Sequence, residues 1–168
     1  MEINLYDTTT TIMANNQSVQ ASTYTFMPQS IPMVLHDPKC QPEYRTKGSA
    51  GADLKVAMDL VLLPNHTQVV STGISLAIPE GFVGLIFPRS GLASRGITLA
   101  NSVGVIDSDY RGEIMVALKN TSMDPVALTY GDRVAQIVFI PITQFPFVQT
   151  ETLDTTVRGT GGFGSTGV

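Results

Sequence analysis

The stretch Gly104-Val-Ile-Asp-Ser-Asp-Tyr-Arg-Gly-Glu-Ile-Met-Val-Ala-Leu-Lys119 joins the two patterns that decide the fold. In its second half Ile114, Val116 and Leu118 share one face, and a period of two is typical of a half-buried strand. Its first half runs two β-branched residues into two carboxylates, a tyrosine and an arginine bounded by glycines. We therefore expect a catalytic hairpin that leads into a core strand, and the simpler alternative is an ordinary polar turn.

Short apolar segments of the same kind recur on both sides of this stretch, separated by glycine and proline. The predicted strands are Ile31–Leu35, Asp53–Ala57, Leu60–Leu63, Gln68–Val70, Ile74–Ile78, Val83–Phe87, Glu113–Lys119 and Arg133–Ile140. The single helical candidate is a turn or two around Ser90–Arg95, with Ser90 as its N-cap. Many short strands with regular turn signals predict an all-β sandwich or jelly roll.

Composition limits the partners that such a domain can have. Of the 168 residues only 14% are charged and 43% are hydrophobic, which predicts that another copy of the chain covers apolar surface. The net charge is −4 and no run of lysine or arginine exists, so we expect no nucleic-acid partner. No segment approaches the ~18 apolar residues of a membrane span, so we expect no membrane contact.

The chain divides into three regions by residue type. Residues 1–28 are rich in Thr, Asn, Gln and Ser and are predicted to be a flexible extension. Residues 29–150 form the predicted β core, and residues 151–168 form a flexible arm, because the last ten residues contain five glycines. The first basic residue is Lys39 and the only cysteine is Cys40, which favours a cytoplasmic protein without a secretory or transit peptide.

Generic motifs explain little of this chain. The arm lacks the lysine of a P-loop, because Ser165 stands there, and it ends too soon to build the helix of a Rossmann site. A calcium loop starting at Asp107 fails at Arg111 and at Leu118. A glycosidase with paired carboxylates stays possible on spacing alone. What the arm does offer a phosphate is close backbone approach, hydroxyl donors and one arginine.

Five ordered segments together resemble one family. They are Ala50-Gly-Ala-Asp-Leu54, Pro88-Arg-Ser-Gly-Leu-Ala93, Asn101 with Gly104–Gly112, Gly131-Asp-Arg-Val-Ala-Gln136 and Arg158-Gly-Thr-Gly-Gly-Phe-Gly-Ser-Thr-Gly167. They are similar to the five motifs of the trimeric deoxyuridine triphosphate nucleotidohydrolases, and the resemblance covers about residues 30 to 168.

This resemblance implies a distorted jelly-roll (β-clip) subunit that assembles as a homotrimer, with each active site built from three chains. The implied reaction is hydrolysis of dUTP to dUMP and pyrophosphate, which limits uracil in DNA and supplies dUMP for dTMP synthesis. One alternative is an enzyme like dCTP deaminase, which shares the fold but needs a glutamate placed for deamination and lacks the glycine arm. Another is a non-catalytic jelly-roll module that binds or regulates a partner.

The resemblance also implies residue roles. Asp107 is the general base that activates the attacking water, Mg²⁺ bridges the phosphates with Asp53 as a water-mediated partner, and Asp109 is a turn residue. Tyr110 packs under the deoxyribose and excludes a 2′-hydroxyl, while Phe163 stacks on the base. The residues implied to hold the phosphate chain are Arg89, Ser90, Gly91, Gln136, Arg158, Gly164, Ser165 and Thr166. Those implied to recognise uracil are Asn101, Val105, Ile106 and Met115.

Overall fold

The computed structural model describes residues 30–163 together with residues 13–14 and 17–18. Its regular structure is almost entirely β, which confirms the predicted all-β class. The strands are β1 Met13–Ala14, β2 Gln17–Ser18, β3 Met33–Leu35, β4 Ala52–Lys55, β5 Leu60–Leu62, β6 Thr67–Leu76, β7 Phe82–Phe87, β8 Ile97–Leu99, β9 Gly104–Ile106, β10 Glu113–Asn120, β11 Val126–Leu128 and β12 Arg133–Pro141. A 3-10 turn covers Pro38–Cys40 and the helix α1 covers Ser90–Ala93. Within the described ranges no helix is long and apolar enough to cross a membrane.

Two four-stranded antiparallel sheets form the body of the domain. Their strand orders are β3-β6-β10-β8 and β4-β12-β7-β9, and a two-stranded sheet pairs β5 with β11. The predicted alternation on β10 is confirmed, because Ile114, Val116 and Leu118 are buried while Met115 between them is exposed. Apolar side chains from both large sheets fill one core, which is the jelly-roll or β-clip arrangement that we expected.

One long strand, β6, replaces two predicted strands. The sequence indicated a break between Gln68–Val70 and Ile74–Ile78, but Gly73 adopts φ +68° and lets the strand continue through an irregular register opposite Glu113 and Met115. A side chain at Gly73 would meet Cys40, since an ideal Cβ there lies 2.9 Å from Cys40 Cβ. Burial raises the pKa of the Cys40 thiol, so this cysteine packs as a small apolar residue.

The short strands β1, β2, β8 and β11 were not predicted, and β9 was expected only as one side of the hairpin. β8 and β11 have three residues each, too few to show a period of two, and they are held by pairing with β10 and β5. β1 and β2 lie in the region predicted to be a flexible extension, and they pair as Met13 with Ser18 and Ala14 with Gln17. Sequence reasoning gave no strand there, because strands of two residues are too short to show a period of two.

Tyr130 joins the 3-10 turn to the turn before β12. Its hydroxyl donates to Asp37 Oδ1, its backbone N–H donates to Asp59 Oδ1 at 2.7 Å, and Lys39 Nζ lies 4.4 Å from its ring centroid. The hydrogen bond to the Asp37 carboxylate, followed by desolvation, raises the pKa of Tyr130 to about 12. This contact therefore favours the protonated tyrosine in the folded protein.

We expect the ionisation of Tyr130 to appear near pH 12 instead of the usual value of about 10. The measurement is the absorbance of tyrosinate after rapid pH jumps, taken as the difference between the wild type and Tyr130→Phe. The pKa of Tyr130 is higher in the folded protein than in the unfolded chain, so its contact with Asp37 stabilises the folded state fully below pH ~10. This stabilisation is lost between about pH 10 and pH 12. A difference spectrum with its midpoint at pH 10 would contradict this assignment.

Candidate active site

Three neighbouring strands bring several predicted site residues to one end of a sheet. Gln136 on β12 lies opposite Asp53 on β4 and opposite Phe87 on β7, so the three residues form one row across the sheet. The chain leaves β7 directly after this row through Pro88 and reaches Arg89. We call the group formed by Asp53, Arg89, Arg133 and Gln136 the arginine end.

Asp53 is buried at the arginine end and paired with two guanidinium groups. Its Oδ1 lies 2.7 Å from Arg89 Nε and its Oδ2 lies 3.0 Å from Arg133 Nη1, and 8% of its side chain is exposed. Arg89 Nη1 also donates to the backbone carbonyl of Arg133 at 3.2 Å. Asp53 contacts each guanidinium once, and Arg89 is oriented by two contacts, one to Asp53 and one to the Arg133 carbonyl.

Gln136 fixes the backbone that enters this end. Its Nε2 donates to the carbonyl of Pro88 at 3.0 Å, one residue before Arg89. The side chain reaches that position over Gly51, where an ideal Cβ would lie 2.8 Å from Gln136 Oε1. A side chain at Gly51 would therefore displace Gln136 and loosen the turn into α1.

The helix α1 begins one residue earlier than the predicted cap implies. The sequence indicated Ser90 as the N-cap, but Arg89 holds that position with φ −100° and ψ 136°, and no side chain caps the helix. The reason is that Pro88 and Arg89 continue the extended path of β7, so Ser90 becomes the first helical residue. The first N–H groups of a helix have no partner within it, and no side chain caps them in α1. The space beside Gly91 is open, because a Cβ added at this residue would have no other atom within 4 Å.

A second group of predicted residues lies in the loop 107–112, which we call the aspartate end. Asp107 is exposed, and its carbonyl accepts from the N–H of Tyr110 at 3.2 Å. The Tyr110 hydroxyl donates to the carbonyl of Glu113 at 3.0 Å. Gly112 lies under the Tyr110 ring, since an ideal Cβ at Gly112 would be 2.6 Å from Tyr110 Cζ. Arg111 donates to the carbonyls of Ser108 and Tyr110, so the loop is closed on itself.

This loop is not the hairpin that the sequence predicted. β9 pairs with β7, whereas β10 pairs with β6 and β8, so the two strands that flank the loop belong to different large sheets. Tyr110 alone links the loop back to the start of β10 through its hydroxyl. The segment is therefore a crossing between sheets, because the partners of both strands come from distant parts of the chain.

The residues predicted to recognise uracil are split by this crossing. Val105 and Ile106 lie on β9 opposite Leu85 and Gly84, while Met115 lies on β10 opposite Ser71. Val105 and Met115 are both exposed and Ile106 is half-buried. Asn101, in the tight turn before β9, is also exposed, and its carbonyl accepts from Val103 N at 2.6 Å.

The two ends lie at opposite ends of β7. The pairing of Ile106 with Gly84 continues to place Asp107 near Val83, whereas Arg89 follows the other terminus at Phe87. Six residues of extended strand at about 3.3 Å each separate these levels by roughly 20 Å. One subunit therefore does not bring Asp107 and Arg89 into one pocket.

A cavity of about 550 Å³ lies at the aspartate end. Asp107, Asp109 and Arg111 line it from the loop, Phe82 and Val83 from β7, and Ile142 from the segment that follows β12. The backbone N–H of Ile142 donates to the carbonyl of Gly81 at 2.8 Å, which fixes the point where the chain leaves the body after β12. The segment that leads to the C-terminal arm thus starts beside Asp107.

The residues that follow β12 are exposed on their own chain. Residues 142–163 contain no strand or helix, and Arg158 is exposed. Six apolar side chains of this segment are at least three-quarters exposed: Phe145, Phe147, Val148, Leu153, Val157 and Phe163. The predicted residues Gly164, Ser165 and Thr166 lie outside the described residues.

The acidic side chains do not build a metal cage. In the described part of the chain no three His, Cys, Asp or Glu side chains converge on one point. Asp53, the predicted metal partner, already holds an arginine on each oxygen. Mg²⁺ in nucleotide enzymes keeps several waters and binds the substrate phosphates with few protein ligands. Because both of its oxygens contact arginines, Asp53 would meet a phosphate-bound ion through water and not directly.

Sequence reasoning missed Arg133. This residue stands in a quoted motif, Gly131-Asp-Arg-Val-Ala-Gln136, but only Gln136 was selected from it. The structure shows Arg133 in contact with both Asp53 and Arg89. The signal is one buried aspartate that contacts two arginines. It is visible only once β4 and β12 are placed side by side.

Comparisons with known proteins give one consistent result. A family model described as dUTPase matches residues 37–167. The deoxyuridine 5'-triphosphate nucleotidohydrolase of Cutibacterium acnes is 48% identical over 133 residues, covering 78% of this chain and 88% of that protein. The corresponding protein of Desulfitobacterium hafniense is 50% identical over 131 residues, covering 76% and 87%.

Solved structures agree with the sequence comparisons. The dUTPase of Staphylococcus bacteriophage 80alpha, solved with dUPNHPP, superposes with a TM-score of 0.77 at 28% identity and covers 83% of this chain and 99% of that one. A mutant dUTPase from phage phi11 of S. aureus, described as showing the coordination of a structural Mg(II) ion, gives a TM-score of 0.70 at 26% identity, covering 76% and 100%.

Proposed function

Because the chain belongs to the dUTPase family and hydrolyses dUTP to dUMP and pyrophosphate, we propose that its active site forms where the aspartate end of one subunit meets the arginine end of another. The observation that carries this proposal is the separation of Asp107 and Arg89 by roughly 20 Å along β7. A site that needs both residues must draw them from two chains.

Asp107 is the general base of the reaction. It accepts a proton from the water that attacks the α-phosphorus, and pyrophosphate leaves. Its exposure beside a cavity of about 550 Å³ gives water access to the carboxylate, and the self-closed loop limits the movement of that carboxylate. A positioned base of this kind contributes roughly 10²–10⁴ in rate.

The arginine end binds the phosphate chain. Arg89 supplies a charge and a fork of donors, Ser90 and Gly91 supply the uncapped first turn of α1, and Gln136 holds the entering backbone. From the arm, Arg158 with Gly164, Ser165 and Thr166 reaches the far end of the triphosphate. Asp53 would hold a phosphate-bound Mg²⁺ through water, and the ion would offset the negative charge of the triphosphate.

Specificity for deoxyuridine comes from backbone groups and from two aromatic rings. Backbone groups around Val105, Ile106 and Met115, with Asn101, match the donors and acceptors of uracil, so cytosine would leave buried polar groups unpaired. Tyr110 is fixed by its hydroxyl on Glu113 and lies under the sugar, where its ring excludes a 2′-hydroxyl. Phe163 is fully exposed in one chain and stacks on the base when the arm closes.

The assembly is a homotrimer whose arms reach across subunits. The exposed side chains of Phe145, Phe147 and Phe163 are unfavourable in water, and packing against a neighbouring subunit would bury them. A closed ring of three places the same two ends against each other at three equivalent interfaces. The buried Cys40 is compatible with a reducing compartment, and we place the reaction in the cytoplasm.

Heterotrimers of two inactive variants test the shared site. Asp107→Asn and Arg89→Gln, carrying different affinity tags, are expressed together and purified on both tags in turn. Any mixed trimer then has one interface that combines an intact Asp107 with an intact Arg89. We expect about one third of the wild-type rate of pyrophosphate release from dUTP, because each mixed trimer has a single complete site where the wild type has one at every interface.

Trimers that mix Asp107→Asn with wild type serve as the control and should keep one or two working sites. If Asp107 and Arg89 acted within one chain, the doubly tagged trimers of the two variants would contain no complete site. Activity no higher than that of the separate variants would therefore contradict the shared site.

A further inference from the structure

The arginine end contains a charge that works against phosphate binding. Asp53 lies 2.7 Å from the Nε of Arg89, the residue proposed to hold the phosphate chain. A carboxylate at that distance offsets the charge of the arginine and repels a triphosphate. Asp53 is also buried, so water screens this repulsion less than it would at the surface.

Arg133 resolves this conflict. Its Nη1 lies 3.0 Å from Asp53 Oδ2, and its backbone carbonyl accepts from Arg89 Nη1 at 3.2 Å. Two guanidinium charges against one carboxylate leave the group with one net positive charge. Arg133 thus contacts both of the other residues and makes the net charge of the group positive, as phosphate binding requires.

We propose that Arg133 is a positioning residue for dUTP hydrolysis and acts through Asp53 on Arg89. A guanidinium has five N–H donors in a fixed fork. Arg89 uses one on Asp53 and one on the Arg133 carbonyl, which keeps the remaining donors free for the phosphate chain. This inference rests on the proposed phosphate-binding role of Arg89.

Loss of Arg133 would change the geometry as well as the charge. With Oδ2 released, the Asp53 carboxylate can accept two parallel N–H···O bonds from Arg89, which is the preferred geometry of such pairs. That rotation takes Arg89 donors away from the substrate. The effect falls on the phosphate chain and leaves the nucleoside pocket unchanged, because that pocket belongs to the aspartate end of another subunit, whereas Arg133 contacts Asp53 and Arg89 of its own arginine end.

Binding measurements with two ligands separate this role from a purely structural one. Calorimetry of Arg133→Met uses a non-hydrolysable imido analogue of dUTP and deoxyuridine, both with EDTA so that no metal contact of Asp53 contributes. We expect the Kd of the analogue to rise about tenfold, since hydrogen bonds to charged groups are strong, while the Kd of deoxyuridine stays within about twofold. Arg133→Lys keeps a positive charge near Asp53 and should bind the analogue within about threefold of wild type.

Lys55→Met is the matched control. Lys55 lies opposite Arg133 in the pairing of β4 with β12 and also ends on a carboxylate, with its Nζ 3.3 Å from Glu43 Oε1, but it does not contact Arg89. Both Kd values should stay within about twofold in this variant. If Arg133→Met fails to fold, Arg133→Gln keeps an amide donor without the charge and should show the same selective loss.

Three results would overturn the positioning role. They are an unchanged Kd for the analogue in Arg133→Met, an equal loss for both ligands, and a loss in Arg133→Lys as large as in Arg133→Met. A wild-type protein that binds neither ligand would instead contradict the proposed function, so the two failures are distinguishable.

Discussion

Asp107→Asn should lower kcat for dUTP hydrolysis by roughly 10²–10⁴ and leave binding of the imido analogue within about twofold. The amide keeps the shape of the side chain but does not take a proton from water. The loop geometry should survive, because the bonds that close it come from Tyr110 and Arg111 and from backbone carbonyls. Pyrophosphate release gives the rate, and calorimetry gives the affinity.

Asp109→Asn is the matched control for this variant. Asp109 lies in the same loop and lines the same cavity, yet it is predicted to be a turn residue. Its kcat should stay within about threefold of wild type, because it takes no part in the proton transfer. If both variants lose activity equally, the two carboxylates act together and Asp107 is not the sole base.

The strands that the sequence predicted best are those whose pattern is visible within their own length. Burial alternates along β10, so its core-facing residues follow from the pleat alone. β12 was predicted from a long run of apolar residues, although its burial does not alternate. β8 and β11 are short, and their strand character comes from the neighbours that pair with them. At Gly73 the sequence predicted a break inside what is one long strand, β6. A glycine that ends a strand and one that bends it look identical in sequence.

The candidate site shows the same division between local and non-local information. The motif that contains Asp107, Tyr110 and Gly112 is contiguous, and the structure accounts for its glycine by the Tyr110 ring that lies against it. The trio of Asp53, Arg89 and Arg133 is drawn from β4, from the turn between β7 and α1, and from β12, so its charge balance was not predictable from spacing. The distance between the two ends depends on the register of β9 against β7, which no local pattern specifies.

Truncation after Thr156 should lower kcat/KM for dUTP by roughly 10²–10³ without unfolding the body. It removes Arg158, Phe163 and the predicted phosphate contacts from Gly164 to Thr166, and each charge-assisted hydrogen bond to a phosphate is worth about 1.5–3 kcal/mol. Phe163→Ala alone should cost about tenfold, in keeping with stacking worth about 1–3 kcal/mol. Steady-state kinetics and thermal melts check both variants.

A second truncation separates closure of the site from assembly of the trimer. Removal of everything after Pro141 also deletes Phe145, Phe147 and Val148, whose side chains are at least three-quarters exposed in the single chain. If these side chains pack on a neighbouring subunit, this shorter chain should lose the trimer in sedimentation experiments, whereas the chain ending at Thr156 should keep it. Unchanged turnover in the chain that ends at Thr156 would show that the glycine-rich segment does not close the site. A trimer that survives in the chain ending at Pro141 would show that the contacts between subunits come from the body of the domain, whose last strand, β12, ends there.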